Sequence, residues 1–215
     1  MNIGTDPNID ICRALVRSVL DCSDRIEWSL QGLGMLRCYL TEDIRLHIWD
    51  SEQAAPGVSS FHTHPWDFTS LVVAGRVVNQ RFKESAIGPA HGGVTAKIPT
   101  MRQMIRCGEG GGLEGEPGPV YLAPQPPEIC TAGCSYSQKA TEVHESRPDD
   151  GAVTIIKRSV PEDGHPDFAN VYWPKGQEWV SAEPRPAKDR EVRTIINKAL
   201  IVMDREDARR AEAAA

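Results

Sequence analysis

The sequence has no CxxC pair. Its six cysteines are scattered, and the nearest two, Cys130 and Cys134, are separated by three residues. That spacing is a poor zinc or dithiol signature, and isolated thiols fit a reducing compartment. No apolar run approaches the roughly 20 residues that a membrane-spanning helix needs. No basic segment followed by an apolar core opens the chain, so neither a signal peptide nor a membrane anchor is expected. These absences predict a cytoplasmic protein. Positive charge is also in short supply. Lys and Arg total 24 against 30 Asp and Glu, a formal net charge of -6. This disfavours nucleic acid as a general partner, because phosphate binding needs a positive field.

A nucleotide loop is missing too. Gly110, Gly112 and Gly115 formally match G-x-G-x-x-G, but Pro117 and Pro119 follow at once and no helical pattern opens there. The Lys and Ser/Thr of a phosphate cradle are absent, and the stretch carries Glu109, Glu114 and Glu116. Residues Gly108 to Pro119 are therefore expected to form a flexible loop.

What is present is a chain of 215 residues, long enough for a substantial core in one large β domain or two small ones. Ile9, Cys12, Leu15, Val16, Val19 and Cys22 recur at helical spacing and predict an amphipathic helix. Ser23 is a candidate cap for a second short helix over Asp24 to Leu30. Leu36, Cys38 and Leu40 then alternate with Arg37 and Tyr39, and Ile44, Leu46 and Ile48 with Arg45, His47 and Trp49. Both patterns predict strands. His47 falls on the opposite face from Leu46 and Ile48 and is a candidate pocket residue. Asp50 to Ser60 reads as a polar loop, and Ala152 to Arg158 as a strand. Near the end, Val192, Ile195, Ile196, Leu200 and Ile201 predict a helix over Asp189 to Met203, with a charged, Ala-rich helix or frayed tail after it.

The chemistry concentrates in Phe61-His62-Thr63-His64-Pro65-Trp66-Asp67-Phe68. Side chains two apart on a strand share a face, so His62 and His64 can aim at one point. Asp67 comes within reach if the chain bends after Pro65. Imidazole and carboxylate are ordinary ligands for Zn, Fe, Ni or Mn. Two loop histidines beside a buried Trp66 fit the same residues. Thr69 to Val78 reads as strand, turn and strand, with Gly75 in the turn. Tyr136 is a candidate proton donor. Arg76, Arg81 and Arg158 are candidates for meeting an anionic substrate, although surface solvation is the simpler reading of each. The aromatic segment around Val171, Tyr172 and Trp173, with Trp179 nearby, could wall a cavity or fill a core.

The His-x-His stretch, Gly75, and a lone His144 ahead of a hydrophobic strand together resemble the cupin superfamily. The resemblance implies an all-β, double-stranded β-helix (a cupin or jelly-roll barrel) with a divalent transition metal at its centre. His62 and His64 match the His-x-His pair, Gly75 the glycine that closes the first motif, and His144 the histidine of the second. Gly57 lies one residue late for the opening glycine. Phe68 stands where the usual glutamate is expected, so either Asp67 beside it substitutes or the site has three histidines, as in the thiol dioxygenases. The Pro-x-Gly before the second histidine is missing; Lys139 and Thr141 stand there. The implied organisation is an N-terminal helical segment over 1–34 packed on the barrel, the barrel over 35–186, and a C-terminal helical extension over 187–215. The implied function is a mononuclear metal enzyme, in first place an Fe(II) dioxygenase or oxygenase acting on a small organic molecule, with use of 2-oxoglutarate left open. Zn, Ni or Mn in a metal-dependent isomerase or lyase is the alternative, and a non-catalytic small-molecule-binding barrel another. A homodimer is implied by analogy.

Overall fold

A computed structural model describes residues 8–58, 60–88, 97–107, 112–164, 166–178, 180 and 184–214. In chain order the elements are α1 (Ile9–Asp21), β1 (Ser29–Gln31), β2 (Leu33–Tyr39), β3 (Ile44–Ala54), β4 (Phe61–His62), β5 (Asp67–Ala74), β6 (Arg76–Ser85), β7 (Ile98–Arg106), β8 (Leu113–Pro124), β9 (Glu128–Thr131), β10 (Ser135–Gln138), β11 (Val143–Pro148), β12 (Val153–Ser159), β13 (Phe168–Pro174), β14 (Arg185–Pro186) and α2 (Asp189–Ala214). They make two antiparallel seven-stranded sheets, ordered β10-β5-β12-β3-β2-β1-β14 and β11-β4-β13-β7-β8-β6-β9. This is the β-sandwich of a jelly roll, with one helix before it and one after it.

Alternation decides which face of the first sheet is dry. Leu36, Cys38, Leu46, Ile48 and Val153 point outward and are covered by Val16 and Leu20 of α1 and by Ile195, Ile196, Ala199 and Met203 of α2. Full burial of a residue such as Leu36, Leu46 or Ile48 contributes roughly 1.5–3 kcal/mol. Arg13 pins both helices to the sheet. Its guanidinium donates to the carbonyls of Val73 (2.7 Å) and Met203 (2.9 Å) and pairs with Glu206 and Asp207. Arg17 pairs with Asp204 and Asp207, and Arg210 with Asp10. Residues 204–214 are therefore a docked helix rather than a frayed tail. The opposite face of the same strands presents Arg45, His47 and Trp49 to the space between the sheets.

The second sheet nearly encloses a core of its own. β11 pairs with both β4 and β6, so the pairings run β11, β4, β13, β7, β8, β6 and back to β11. Phe61, Phe82, Val120, Leu122, Val143 and Tyr172 pack together there. Because successive side chains on a strand point to opposite faces, His62 next to Phe61, and His144 next to Val143, face the space between the sheets. Between β5 and β6, Gly75 has φ 77°, and a Cβ there would lie 2.9 Å from the Ala152 Cα. Only glycine fits that turn without a shift.

Several expectations change. Ser23–Arg25 is a single 3-10 turn, and the helix expected to follow it is replaced by β1, because Trp28 and Leu30 insert into the first sheet's core. Strand β3 continues to Ala54, into the expected loop. The glycine-rich loop is largely a strand. Residues 108–111 lie outside those described, but Leu113–Pro124 pairs with β7. The pairing shifts register between Arg102 and Met104, and Gln103 Nε2 donates to the carbonyls of Glu114 (2.7 Å) and Gly115 (2.9 Å). That side chain takes up acceptors which the irregular ladder leaves over.

Candidate metal centre

His62 of β4 and His144 of β11 are directly opposed across an antiparallel pair, so their rings emerge side by side with centroids 4.7 Å apart. The strand ends at His62, not at His64. His64 nonetheless turns to the same point, its ring centroid 4.6 Å from that of His62 and 5.1 Å from that of His144. One ring nitrogen from each of these three residues lies within 4.8 Å of the others. Trp66 and Phe68 pack on His64, with centroids at 5.3 and 5.1 Å, and keep that side apolar.

The outer nitrogens are already committed. His62 Nδ1 donates to the Ser60 carbonyl at 2.8 Å. His144 Nδ1 lies 2.9 Å from Asn79 Oδ1. The Asn79 amide nitrogen faces Glu128 Oε2 and Gln138 Oε1, both at 3.3 Å, so its oxygen is the atom that faces the histidine. A carbonyl oxygen only accepts, so Nδ1 carries the proton in both rings and Nε2 keeps its lone pair for the centre. His64 Nε2 and His144 Nε2 are 3.0 Å apart. Two lone pairs would repel at that distance, so without a metal a proton sits between them, carried by His64. Burial is the main force holding all three histidines below their ordinary pKa. For His64 and His144 the neighbouring imidazoles and arginines push the same way. Neutral imidazoles are the ligating form.

Asp67 does not join this group. Its carboxylate accepts from the Ala140 backbone N–H and from Lys139 Nζ, each at 2.7 Å. Those contacts, the backbone one first, hold its pKa below the ordinary value. Asp67 therefore ties down the turn between β10 and β11. That turn contains Thr141 at φ 58°, and its backbone N–H donates to the His64 carbonyl at 3.3 Å. Thr141 stands where the cupin pattern has glycine, and it adopts the left-handed conformation that glycine favours.

Between the sheets lies a cavity of about 310 Å³, with the three histidines on one side and Arg37, Arg45, His47 and Trp49 on the other. Tyr136 lines it as well, buried, with its hydroxyl against Ser70 and Ser146; burial raises its pKa. His47 is 5% exposed, and neither ring nitrogen has a hydrogen-bond partner among the described residues. Burial first, then Arg45 and Arg37, push its pKa down to about 3.

The arginines singled out from the sequence are elsewhere. Arg76 pairs with Asp149 and Arg81 with Glu128, while Arg158 lies 3.9 Å from Asp43 and backs onto Trp66. Arg37 and Arg45 are the ones that reach the cavity, and the signal was their place on the inward face of two alternating strands. Asn79 was not foreseen; nothing in its surroundings in the sequence marks it. Tyr172 belongs to the core of the second sheet, and Trp179 lies outside the described residues.

The sequence matches no protein-family model and no curated protein. The two antiparallel sheets and the histidine cluster are compatible with a cupin-like jelly roll. No helix among the described residues is long and apolar enough to cross a membrane.

Proposed function

We propose that this protein is a mononuclear metal-dependent enzyme that acts on a small organic molecule, with His62, His64 and His144 as the protein ligands and Fe(II) as the metal. The carrying observation is the convergence of three neutral imidazoles, two of them oriented by outer hydrogen bonds, at the wall of a cavity of small-molecule size. The donor set fits a divalent transition metal. Ser60 and Asn79 orient His62 and His144 as the outer partners of metal-bound histidines commonly do. Iron is placed first on the likeness of the three-histidine set to that of the thiol dioxygenases.

With three protein ligands a bound metal keeps open positions for oxygen or substrate, and so supplies oxygenase chemistry or Lewis-acid polarisation. The chain's own groups do the rest. Trp66 and Phe68 exclude water beside His64. Tyr136, kept protonated by burial, is a hydrogen-bond donor on the cavity wall. The reading is tested by the metal content of untagged protein purified anaerobically. Near one equivalent of iron in the parent, with little in His62→Ala and His144→Ala, is the expected result, and oxygen uptake with thiols and 2-oxoglutarate is the next assay. Zinc, nickel or manganese in place of iron would move the assignment to an isomerase or lyase. No metal after reconstitution would overturn it.

A further inference from the structure

Among the described residues, the cavity wall opposite the histidines is a cluster of cations without anions. Arg37 and Arg45 project from β2 and β3 into the cavity. Among the described residues neither meets a carboxylate. Arg37 Nε donates to Ser29 Oγ at 3.0 Å, and Arg45 Nη2 to the Tyr39 hydroxyl at 2.6 Å. Arg45 lies over the rings of Tyr39 and Trp66, at 4.6 and 5.0 Å. Arg13 shows the contrast: it is 4% exposed and has Glu206 and Asp207, whereas Arg45 is 8% exposed and has no acid among the described residues. Elsewhere the chain has acid to spare, with a net charge of -6.

The neighbouring donors are unpaired as well. Arg45, His47 and Trp49 alternate along β3 and share a face, and Arg37 is directly opposite His47 on β2. Arg45 Nε, both ring nitrogens of His47 and Trp49 Nε1 are buried without a hydrogen-bond partner among the described residues. The side chains of Arg37, Arg45, His47 and Trp49 thus line one part of the cavity. A buried cation and unsatisfied N–H groups are costly unless something accepts from them, and a planar guanidinium fork matches an oxyanion.

We infer that this wall binds the oxyanion of a small organic acid, a carboxylate or a phosphate, and holds the molecule so that its other end faces His62, His64 and His144. The orientation rests on the metal-centre reading; the oxyanion site itself does not. A cavity of about 310 Å³ holds a small metabolite-sized acid and little more. Arg37 and Arg45 set specificity for charge.

The test is calorimetric titration of the purified protein with straight-chain carboxylates, the matching alkyl phosphates and the matching neutral amides. One of the two anion series should bind at least about tenfold more tightly than its amides, and which series does so identifies the oxyanion. Arg45→Met and Arg37→Met should each remove that preference, with Arg45→Lys keeping part of it. Arg37 is only half-buried, so its variant remains informative if Arg45→Met fails to fold. The same titration on His62→Ala separates the two readings: anion preference should survive there even though metal is lost. Equal binding of anions and amides, no binding of either anion series, or an unchanged preference in folded Arg37→Met and Arg45→Met would each overturn the inference.

Discussion

The two walls of the cavity solve opposite problems. On the histidine wall, His62 and His144 have their outer nitrogens committed, to Ser60 O and Asn79 Oδ1, and every ring is held neutral. The Nε2 lone pairs of His62 and His144 are what remain, joined by that of His64 once its Nε2 proton moves to Nδ1, and they attract a cation. On the facing wall, two guanidiniums and several N–H groups have no acid and few acceptors among the described residues. N–H hydrogens are what remain, and they attract an anion. A β-sandwich makes this division simple, since each wall is the inward face of a different sheet. Polar side chains of one type can alternate there with the apolar residues that each sheet buries on its other face.

The sharpest way to break the comparison is to remove the support of the histidine wall without touching a ligand. Asn79→Leu deprives His144 Nδ1 of its acceptor and frees the ring to turn or change tautomer. Metal affinity should fall by about 10–100-fold, measured by competition with a chromophoric chelator. Asn79→Asp keeps an acceptor at that position and should restore much of the loss. If Asn79→Leu binds metal as tightly as the parent, the wall is not pre-organised in the way its hydrogen bonds indicate.

The facing wall should show itself in the pH dependence of stability. In the unfolded chain His47 takes a proton below its ordinary pKa of 6.5, whereas in the folded protein it resists protonation down to about 3. Its stabilising contribution is therefore complete above pH 6.5 and declines as pH falls from there towards 3. The loss from this one group is on the order of a few kcal/mol across the window. His62, His64 and His144 act in the same direction. Denaturant melts at neutral pH and at mildly acid pH should show the decline, and His47→Gln should flatten it. An unchanged slope in His47→Gln would mean that His47 gains a proton and a partner in the folded protein.

How much of this was legible in the sequence follows from the range of each interaction. Strands such as Ala152 to Arg158, helix α1 and the Gly75 turn were readable because alternation, helical spacing and a glycine turn are local signals. So was the pairing of His62 with His64, which needs only two residues of separation. The expected ligand role of His144 came through resemblance alone, since the β4–β11 register that brings it to His62 joins strands far apart in the chain. The partner of Asp67 was not readable at all. Within sequence reach of His64 it looks like a ligand, but the turn that captures it comes from the distant β10–β11 connection. Val120 to Leu122 of β8 was readable as a short strand, but its glycine-rich first half was hidden because glycine and proline report a weak strand, while its pairing with β7 and the help of Gln103 are non-local.

A smaller effect is expected in the turn that supports His64. Thr141 is a β-branched residue at φ 58°, a conformation that costs about 1–2 kcal/mol for an L-residue. Thr141→Gly should therefore raise stability by about 1 kcal/mol after the added entropy of the unfolded glycine is subtracted. Thermal unfolding measures this, and metal content should stay unchanged. Destabilisation instead would mean that the threonine side chain contributes something beyond its backbone.

The smallest expected change is the most discriminating for the histidine wall. Asp67→Asn keeps an oxygen to accept from Ala140 N–H and loses only the charge facing Lys139, whose side chain is 72% exposed. An exposed partner makes that ion pair worth little, so the melting temperature should barely move. Metal stoichiometry should equal the parent's, because both carboxylate oxygens are occupied by Ala140 and Lys139 and neither belongs to the ligand group. A fall in bound metal as large as that expected for His144→Ala would make Asp67 a fourth ligand. The turn would then have to release it on loading, and metal binding would rearrange the wall beyond the proton shift that His64 already needs.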